Sequence, residues 1–242
     1  MAKTLENTIG NYFEKNKTLS KEELVLAISN DFPTWTEGTI KVYLSKLKKA
    51  GKINNPSRGT YSIANTQTFN PEINQNLKKT FHKIQKEYPY VTFCIWNSSW
   101  LNDVMRHQPF KQYLVIEVEK DAAEQVFNSI NETSKNVFLN PDEEIFERYI
   151  ANLDEVIIVK NLVSESPLIK IDKIEIPTLE KLLVDMLIDK DLFAAQQGEL
   201  EFIYKTAIDK YPINKLKMKR YALRRNREQE IEKMLNSVLA KK

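Results

Sequence analysis

The stretch TWTEGTIKVYLSKLKKAGKINNPSRGTYSI, residues 34–63, decides the expected fold of the N-terminal part of the chain. Thr36 belongs to the residue types that cap helices, and Gly51 suits the left-handed conformation that ends many of them. The residues between them therefore predict a helix of about four turns. The residues that recur at helical spacing and form its expected buried stripe are Ile40, Leu44 and Leu47.

The opposite face of this helix is polar and basic. It carries Thr39, Val42, Ser45, Lys46 and Lys49. Beyond the helix, residues 52–53 and 60–63 predict two short strands, joined by the turn NNPSRG with its Pro, Asn and Gly. A helix followed by a small hairpin is typical of a winged helix.

Two upstream helices complete this unit. An apolar stripe of Leu5, Ile9, Tyr12 and Phe13 predicts the first. Ser20 with Glu23 forms a capping box that opens a second helix, which ends at residues 31–33. The order helix, helix, turn, helix and hairpin predicts a winged helix-turn-helix.

A winged helix-turn-helix places its third helix in the major groove of DNA. Base edges would then lie near Thr36, Thr39, Ser45 and Lys46, and Arg58 at the wing tip would meet phosphate or the minor groove. The full set of predicted DNA-contacting residues is Thr36, Thr39, Lys41, Ser45, Lys46, Lys49 and Arg58. The alternative is a small winged domain that serves protein contacts and whose lysines are only solvated.

Composition limits the expected domain number, partners and compartment of the protein. With 242 residues, of which 42% are hydrophobic, the chain is long enough for two compact domains. The formal net charge of +3 predicts no partner by itself, so basic character matters only where it is local. The single cysteine, Cys94, excludes an internal disulfide and fits a reducing cytoplasm. No signal peptide or membrane-spanning segment is expected, so we predict a cytoplasmic protein.

The expected domains are a DNA-binding domain at 1–65, a polar linker at 66–76 and a second domain at 77–242. In the second domain, apolar strands alternate with amphipathic helices, which is typical of α/β architecture. Strands are expected at 90–96, 113–118, 137–139, 156–160 and, as an edge strand, 168–174. Helices are expected at 77–87, after Asp121 with Glu124 as a cap, after Pro141, after Pro177, and at 192–210, 214–225 and 226–239. The expected fold class is therefore α+β: a winged helix-turn-helix followed by an α/β domain with a helical C-terminal bundle.

A second basic surface is expected near the C-terminus. Carboxylates close in sequence are limited to Glu228 and Glu230, too few to pair with the cations there. The surface consists of Lys217, Arg220, Tyr221, Arg224 and Arg225. An aromatic ring among cations suits phosphate-rich partners, so we expect a second nucleic-acid contact or a surface for neutralising a toxin. The alternative is a solvated helix face that serves solubility and the helix dipole.

Three segments carry a resemblance to a known family. The run TIKVYLSKLKKAGKINNPSRGTYSI resembles the winged helix of AbiEi-type antitoxins, and IPTLEKLLVDML and KMKRYALRR resemble segments of their second domain. The positions that carry the later likeness are Pro177, Glu180, Lys181, Leu183, Asp185, Tyr221, Arg224 and Arg225. The matched stretches cover about a third of the chain, and residues 96–160 depart from the family, as in a divergent member.

This resemblance implies the antitoxin of a bacterial type IV toxin–antitoxin pair that serves in phage defence. Such a protein represses its own operon through the winged domain and opposes a nucleotidyltransferase-like toxin without an obligatory stable complex. Its expected partners are its own operator DNA and, functionally, that toxin. A ligand-sensing winged-helix regulator is the alternative.

Two enzymatic alternatives fit the sequence less well. A nucleotidyltransferase needs a Gly-Ser turn and paired acids, for which Ser98-Ser99 and the Glu117 and Glu119 pair are poor substitutes. A metal-dependent nuclease needs an Asp before Glu-x-Lys, and Asp103 misses the spacing. His82 and His107 lie far apart, which disfavours a zinc site. We therefore expect no enzyme, no metal and no cofactor, with Trp96 and Trp100 in the core or, alternatively, beside a surface pocket.

Overall fold

The computed structural model describes residues 4–57, 59–63 and 68–240. The chain divides into two compact units. Unit 1 comprises Met1–Thr68 and Ile208–Lys215, and unit 2 comprises Phe69–Ala207 and Leu216–Lys242. The predicted first domain falls inside unit 1, but the return of Ile208–Lys215 to that unit was not predicted.

Unit 1 consists of short helices and one small sheet. Its elements are α1 (Leu5–Thr8) with a 3-10 turn at Ile9–Phe13, β1 (Leu19–Ser20), α2 (Lys21–Asp31), α3 (Glu37–Lys49), β2 (Ile53–Ser57) and β3 (Thr60–Ile63). The three strands pair antiparallel in the order β1-β3-β2. The buried side chains that form its core are Leu5, Ile9, Phe13, Leu19, Leu24, Ile28, Ile40, Leu44, Leu47 and Ile53.

The predicted helix boundaries in unit 1 are confirmed by their caps. The Ser20 hydroxyl accepts from the Glu23 backbone N–H at 3.1 Å, and the Glu23 carboxylate accepts from the Ser20 N–H at 2.7 Å. The Thr36 hydroxyl accepts from the Thr39 N–H at 3.2 Å. At the other end of α3, Gly51 has a φ of 67°. The helix therefore begins and ends where the sequence predicts.

The hairpin of unit 1 differs from the expectation. Strand β2 runs on to Ser57, so most of the predicted turn is extended, and the pairing with β3 is irregular between Asn54 and Ser57. Strand β1 was not predicted, because two residues are too short to show a pattern. Arg58, the expected wing tip, lies outside the described residues.

Unit 2 is built on a four-stranded sheet of order β4-β5-β7-β6, in which β4 is antiparallel to β5 and the other pairs are parallel. Its strands are β4 (Phe93–Asn97), β5 (Tyr113–Val118), β6 (Val137–Leu139) and β7 (Val156–Asn161), with β8 (Leu168–Ile171) and β9 (Ile174–Pro177) as a separate hairpin. Its helices are α4 (Gln75–Glu87), α5 (Ala123–Thr133), α6 (Glu143–Arg148), α7 (Leu179–Ile188), α8 (Leu200–Lys210), α9 (Lys215–Arg224) and α10 (Glu228–Ala240).

These elements confirm a mixed α and β fold with a helical C-terminal region. Several local expectations were wrong. The single edge strand expected at 168–174 is a two-stranded hairpin, and Pro177 ends β9, so that Thr178 caps α7. Helix α5 has no side-chain cap, and a 3-10 turn precedes α8. Among the described residues, the structure contains no helix that combines the length and the apolar character needed to cross a membrane.

Candidate functional site

The first candidate site is the outward face of α3 in unit 1. Because Ile40, Leu44 and Leu47 are almost fully buried, the opposite side of the helix faces away from the core. The residues centred on that side are Gly38, Val42, Ser45, Lys46 and Lys49, and all five are exposed. Val42 lies at the middle of this face with 54% of its surface exposed. Of the predicted DNA-contacting residues, Ser45, Lys46 and Lys49 lie on this exposed face.

An aromatic ladder holds one flank of α3. Phe32 stacks on Trp35 with ring centroids 4.5 Å apart, and Trp35 stacks on Tyr43 at 4.4 Å. The Lys46 ammonium lies 5.1 Å from the centroid of the Tyr43 ring. The ladder thus joins the turn after α2 to the side of α3 and supports Lys46. The sequence does not show this stack directly, because Phe32 and Trp35 lie in the turn before α3 whereas Tyr43 lies within α3.

Three further predicted DNA-contacting residues, Thr36, Thr39 and Lys41, have local partners. The Thr36 and Thr39 hydroxyls lie 3.0 Å apart at the start of α3. Lys41 pairs with Glu37 one turn earlier at 2.5 Å, and it projects to the side of the outward face. At Gly38, a side chain would meet only the Thr36 hydroxyl, at 3.7 Å, so the helix backbone is open to close approach there.

The second candidate site is a buried cluster of charged side chains in unit 2, with Lys181 at its centre. This lysine lies on α7 and is fully buried. Its ammonium donates to both carboxylate oxygens of Glu117 on β5, at 2.6 and 2.7 Å, and to Asp185 at 2.6 Å. The Trp96 indole N–H also donates to Glu117, at 2.8 Å. Three elements, the strands β4 and β5 and the helix α7 with its i, i+4 pair, therefore meet in this cluster.

The cluster extends from Asp185 through α9 and β7. Tyr221 and Arg225 donate to Asp185 at 2.9 and 2.6 Å, and Arg225 also donates to Asp189 at 2.6 Å. Lys160, the register partner of Glu117 on β7, donates to Asp189 at 2.6 Å. The charged members are Glu117, Asp185 and Asp189 against Lys160, Lys181 and Arg225. Equal numbers of opposite charges make the cluster neutral as a whole.

Burial and pairing together set the pKa values in this cluster. Burial is the largest single influence on Glu117 and disfavours its carboxylate, but the charges of Lys181 and Lys160 and the hydrogen bonds from Lys181 and Trp96 together lower the pKa of Glu117. Burial also opposes the charge of Lys181, yet Asp185 and Glu117 raise the pKa of its ammonium well above the ordinary value. The pKa of Asp189 is lowered by its two cationic partners despite burial, whereas burial and the neighbouring carboxylates raise the pKa of Asp185.

The cluster corrects the expectation of an exposed basic surface near the C-terminus. Tyr221 is 1% exposed and Arg225 is paired with carboxylates of α7 and the residue that follows it. Arg220 and Arg224 remain exposed, but both pair with Glu165, at 3.2 and 2.9 Å. The expectation failed because carboxylates distant in sequence supply the pairs. The exposed cations of the predicted set are Lys217, Arg220 and Arg224.

The acidic pair considered for phosphate chemistry is not assembled. Glu117 is 2% exposed and bound to Lys181, and Glu119 follows the end of β5. Within residues 4–57, 59–63 and 68–240, the structure contains no group of three or more His, Cys, Asp or Glu placed to hold a metal ion. Both Trp96 and Trp100 are buried, as expected of core residues.

A polar groove of about 770 Å³ lies in unit 2 at the amino ends of β5 and β7. Side-chain amides and hydroxyls form part of its wall, including Asn76, Asn97, Gln112, Ser134 and Asn136, beside charged and apolar residues. The fully exposed ring of Phe110 stands at its rim. Neutral hydrogen-bonding groups beside an aromatic ring suit a small polar ligand.

Comparison with known protein families finds a match over residues 39–241 to a family of unknown function. The matched region begins inside α3 and includes the charge cluster and the groove. Comparison with curated proteins finds no match.

Proposed function

This chain belongs to the family of unknown function DUF6577, and we propose that it is a DNA-binding transcriptional autorepressor that serves as the antitoxin of a type IV toxin–antitoxin pair. In this proposal unit 1 is a winged helix-turn-helix with α3 as the recognition helix. Unit 2 carries the antitoxin activity. The protein needs no cofactor and acts without catalysis.

The outward face of α3 is the observation that carries the DNA-binding part. Ser45, Lys46 and Lys49 are exposed on one side of a helix whose other side is the core of unit 1. The open backbone at Gly38 leaves the first turn free to approach base edges. The β2–β3 hairpin follows the helix in sequence and pairs with β1, and a helix followed by a hairpin is the order that a winged helix-turn-helix requires. A helix of this kind fits the major groove, and its lysines suit phosphate.

The DNA-binding part is tested with the full-length chain and labelled duplex DNA from upstream of its own gene. We expect binding that weakens steeply with salt, and a Lys46→Ala, Lys49→Ala variant whose slope in log K against log[salt] is smaller by about 1.8. The matched control is Lys86→Ala, Lys205→Ala, which removes two exposed lysines from α4 and α8 of unit 2. Absence of binding at low salt, or an equal loss in the control, would contradict the proposal.

The antitoxin part is supported by the resemblance and by where its residues lie. Lys181, Asp185, Tyr221 and Arg225, which carry the likeness to AbiEi-type antitoxins, come together in the charge cluster although they belong to two separate helices. Through these contacts, the two segments that resemble AbiEi-type antitoxins together hold α7 and α9 against the sheet.

The antitoxin part is tested in cells. The frame adjacent to the gene should encode a nucleotidyltransferase-like protein whose induction stops growth, and co-expression of this chain should restore growth. An empty vector and an unrelated winged-helix repressor serve as controls. An adjacent frame of metabolic function, or growth arrest that the chain does not relieve, would contradict this part and leave DNA binding to stand alone.

A ligand-sensing regulator is the second candidate, and the polar groove of unit 2 favours it. Thermal unfolding would be followed with nucleosides, monosaccharides and amino acids, each as an individual probe. A probe that raises the midpoint in the wild type but not in Asn136→Ala, and that changes DNA affinity, would favour sensing over the antitoxin function.

A further inference from the structure

The outward face of α3 changes character along its length. Its first two turns present Gly38 and Val42, which are small or apolar, and its last two turns present Ser45, Lys46 and Lys49. An exposed β-branched residue adds nothing to helix propensity, and the side opposite the core gives Val42 no place in the hydrophobic cluster of unit 1. Val42 therefore does not contribute to the core of unit 1 and is available for contact with a partner.

The neighbours of Val42 define what it could touch. On one flank, Tyr43 is stacked on Trp35 and is held to the side of the helix. On the other flank, Lys41 is paired with Glu37. One turn before it, Gly38 has no side chain, so the helix backbone is uncovered there. Only the Thr36 hydroxyl lies close to where a side chain would stand. Val42 is thus the apolar side chain that projects from the centre of this face.

We propose that Val42 recognises the 5-methyl group of a thymine in the major groove, which makes it a specificity-determining residue. This inference rests on the proposed binding of duplex DNA by α3. Thymine is the base that presents a methyl group in the major groove, and apolar side chains contact it. The stiff side chain of valine holds its two methyl groups in one orientation, so the contact is positioned before binding. Lys46 and Lys49, one and two turns later, meet the phosphates and set the register of Val42.

The experiment uses the full-length chain and a duplex site selected by it from a random library. Each thymine of that site is replaced in turn by deoxyuridine, which removes one methyl group and leaves every base-pairing edge unchanged. We expect one position per bound copy at which wild-type affinity falls about fourfold, the effect of one buried methyl group. Val42→Ala should bind the thymine site about as weakly and should not respond to deoxyuridine at that position.

Leu26→Ala is the matched control, because Leu26 is an exposed apolar residue on α2 of the same unit. It should keep wild-type affinity and the full response to deoxyuridine. If Val42→Ala binds as tightly as the wild type, or if each deoxyuridine effect is the same in both proteins, the inference is overturned while DNA binding stands. Absence of any binding by the wild type at low salt overturns the inference and the proposed DNA binding together.

Discussion

Lys181 has the most demanding environment of any residue in unit 2. Its side chain is fully buried, so its ammonium has lost its hydration and depends on Glu117 and Asp185 for every compensating interaction. Pairing with two carboxylates offsets a desolvation cost of several kcal/mol per ion. Because the same ammonium holds β5 and α7 together, its loss would leave the buried Glu117 without its ion-pair partner and Asp185 with Arg225 alone.

We predict that Lys181→Met lowers the free energy of unfolding of unit 2 by about 3–5 kcal/mol, because it leaves the buried carboxylate of Glu117 without its ion-pair partner. Urea denaturation followed by tryptophan fluorescence would measure this, since Trp96 donates to the same carboxylate. Arg220→Ala is the control: Arg220 also pairs with a carboxylate but is 79% exposed, so its loss should cost less than about 1 kcal/mol. Equal effects of the two substitutions would contradict the role assigned to Lys181.

The cluster also predicts how stability depends on pH. Glu117 and Asp189 have pKa values below their ordinary 4.5 and 3.8 in the folded state. As pH falls past those ordinary values, the unfolded chain binds protons before the folded chain does, so stability falls. Asp185, whose pKa is raised, acts with the opposite sign. We expect Glu117→Gln to flatten the loss of stability below pH 4.5, measured by urea denaturation at a series of pH values. An unchanged slope would show that Glu117 takes up its proton as readily in the fold as in the unfolded chain.

At the scale of elements, the end of α3 depends on the backbone of Gly51. Its φ of 67° lies in the left-handed region, and a side chain there would meet no atom within 4 Å. Gly51→Ala should therefore destabilise unit 1 by about 1 kcal/mol through backbone strain alone. The control is Gly10→Ala, where the space is equally open and the backbone is not left-handed. Thermal unfolding would compare them, and equal midpoints would contradict this account.

The elements that could be predicted are those with local signals. Helix α3 begins at a capping threonine and ends before a left-handed glycine, and strand β5 is an apolar run interrupted by Glu117, so the sequence predicts both at their observed positions. Strand β1 could not be predicted, because its two residues become a strand only through pairing with Thr60 and Tyr61. The hairpin of β8 and β9 was taken for one strand, since its turn at Asp172 and Lys173 uses left-handed residues other than glycine.

The same distinction between local and distant signals applies to the candidate sites. The outward face of α3 follows from helical periodicity, so Ser45, Lys46 and Lys49 were identified from sequence alone. The charge cluster could not be identified, because its bonds join residues as far apart as Glu117 and Lys181, 64 positions along the chain. A lysine and an aspartate four residues apart within the apolar run of α7 were the one local signal. For the same reason, Tyr221 and Arg225, which the sequence predicts on an exposed basic surface, are instead bound to a carboxylate distant in sequence.

At the scale of the whole molecule, the two units use charge in opposite ways. Unit 1 presents lysines to solvent on a helix face, where they are available to a phosphate-rich partner. Unit 2 encloses equal numbers of cations and carboxylates, which fix α7 and α9 on the sheet. The net charge of +3 over the whole chain therefore does not distinguish the exposed lysines of unit 1 from the paired charges of unit 2. Substitutions that test function must accordingly separate surface cations from cluster cations.

This separation allows the two proposed activities, repression and toxin neutralisation, to be tested independently. Lys217→Ala, Arg220→Ala, Arg224→Ala removes exposed cations of α9 and leaves Arg225 bound to Asp185 and Asp189. We expect this triple variant to fold, to keep operator affinity and to lose the ability to restore growth beside the toxin. Lys46→Ala, Lys49→Ala should behave in the opposite way, because its changes are confined to α3 of unit 1.

Both variants would be assayed for thermal unfolding, operator binding and growth rescue. Arg225→Ala would be assayed beside them as a variant that we expect to unfold. Arg225 makes two buried ion pairs, so its removal should destabilise unit 2 and abolish rescue through unfolding, which the thermal midpoint would reveal. The triple variant should instead lose rescue at an unchanged midpoint. Wild-type rescue by the triple variant would show that the exposed cations of α9 are only a solvated face, and loss of operator affinity in it would show that α9 contributes to DNA binding.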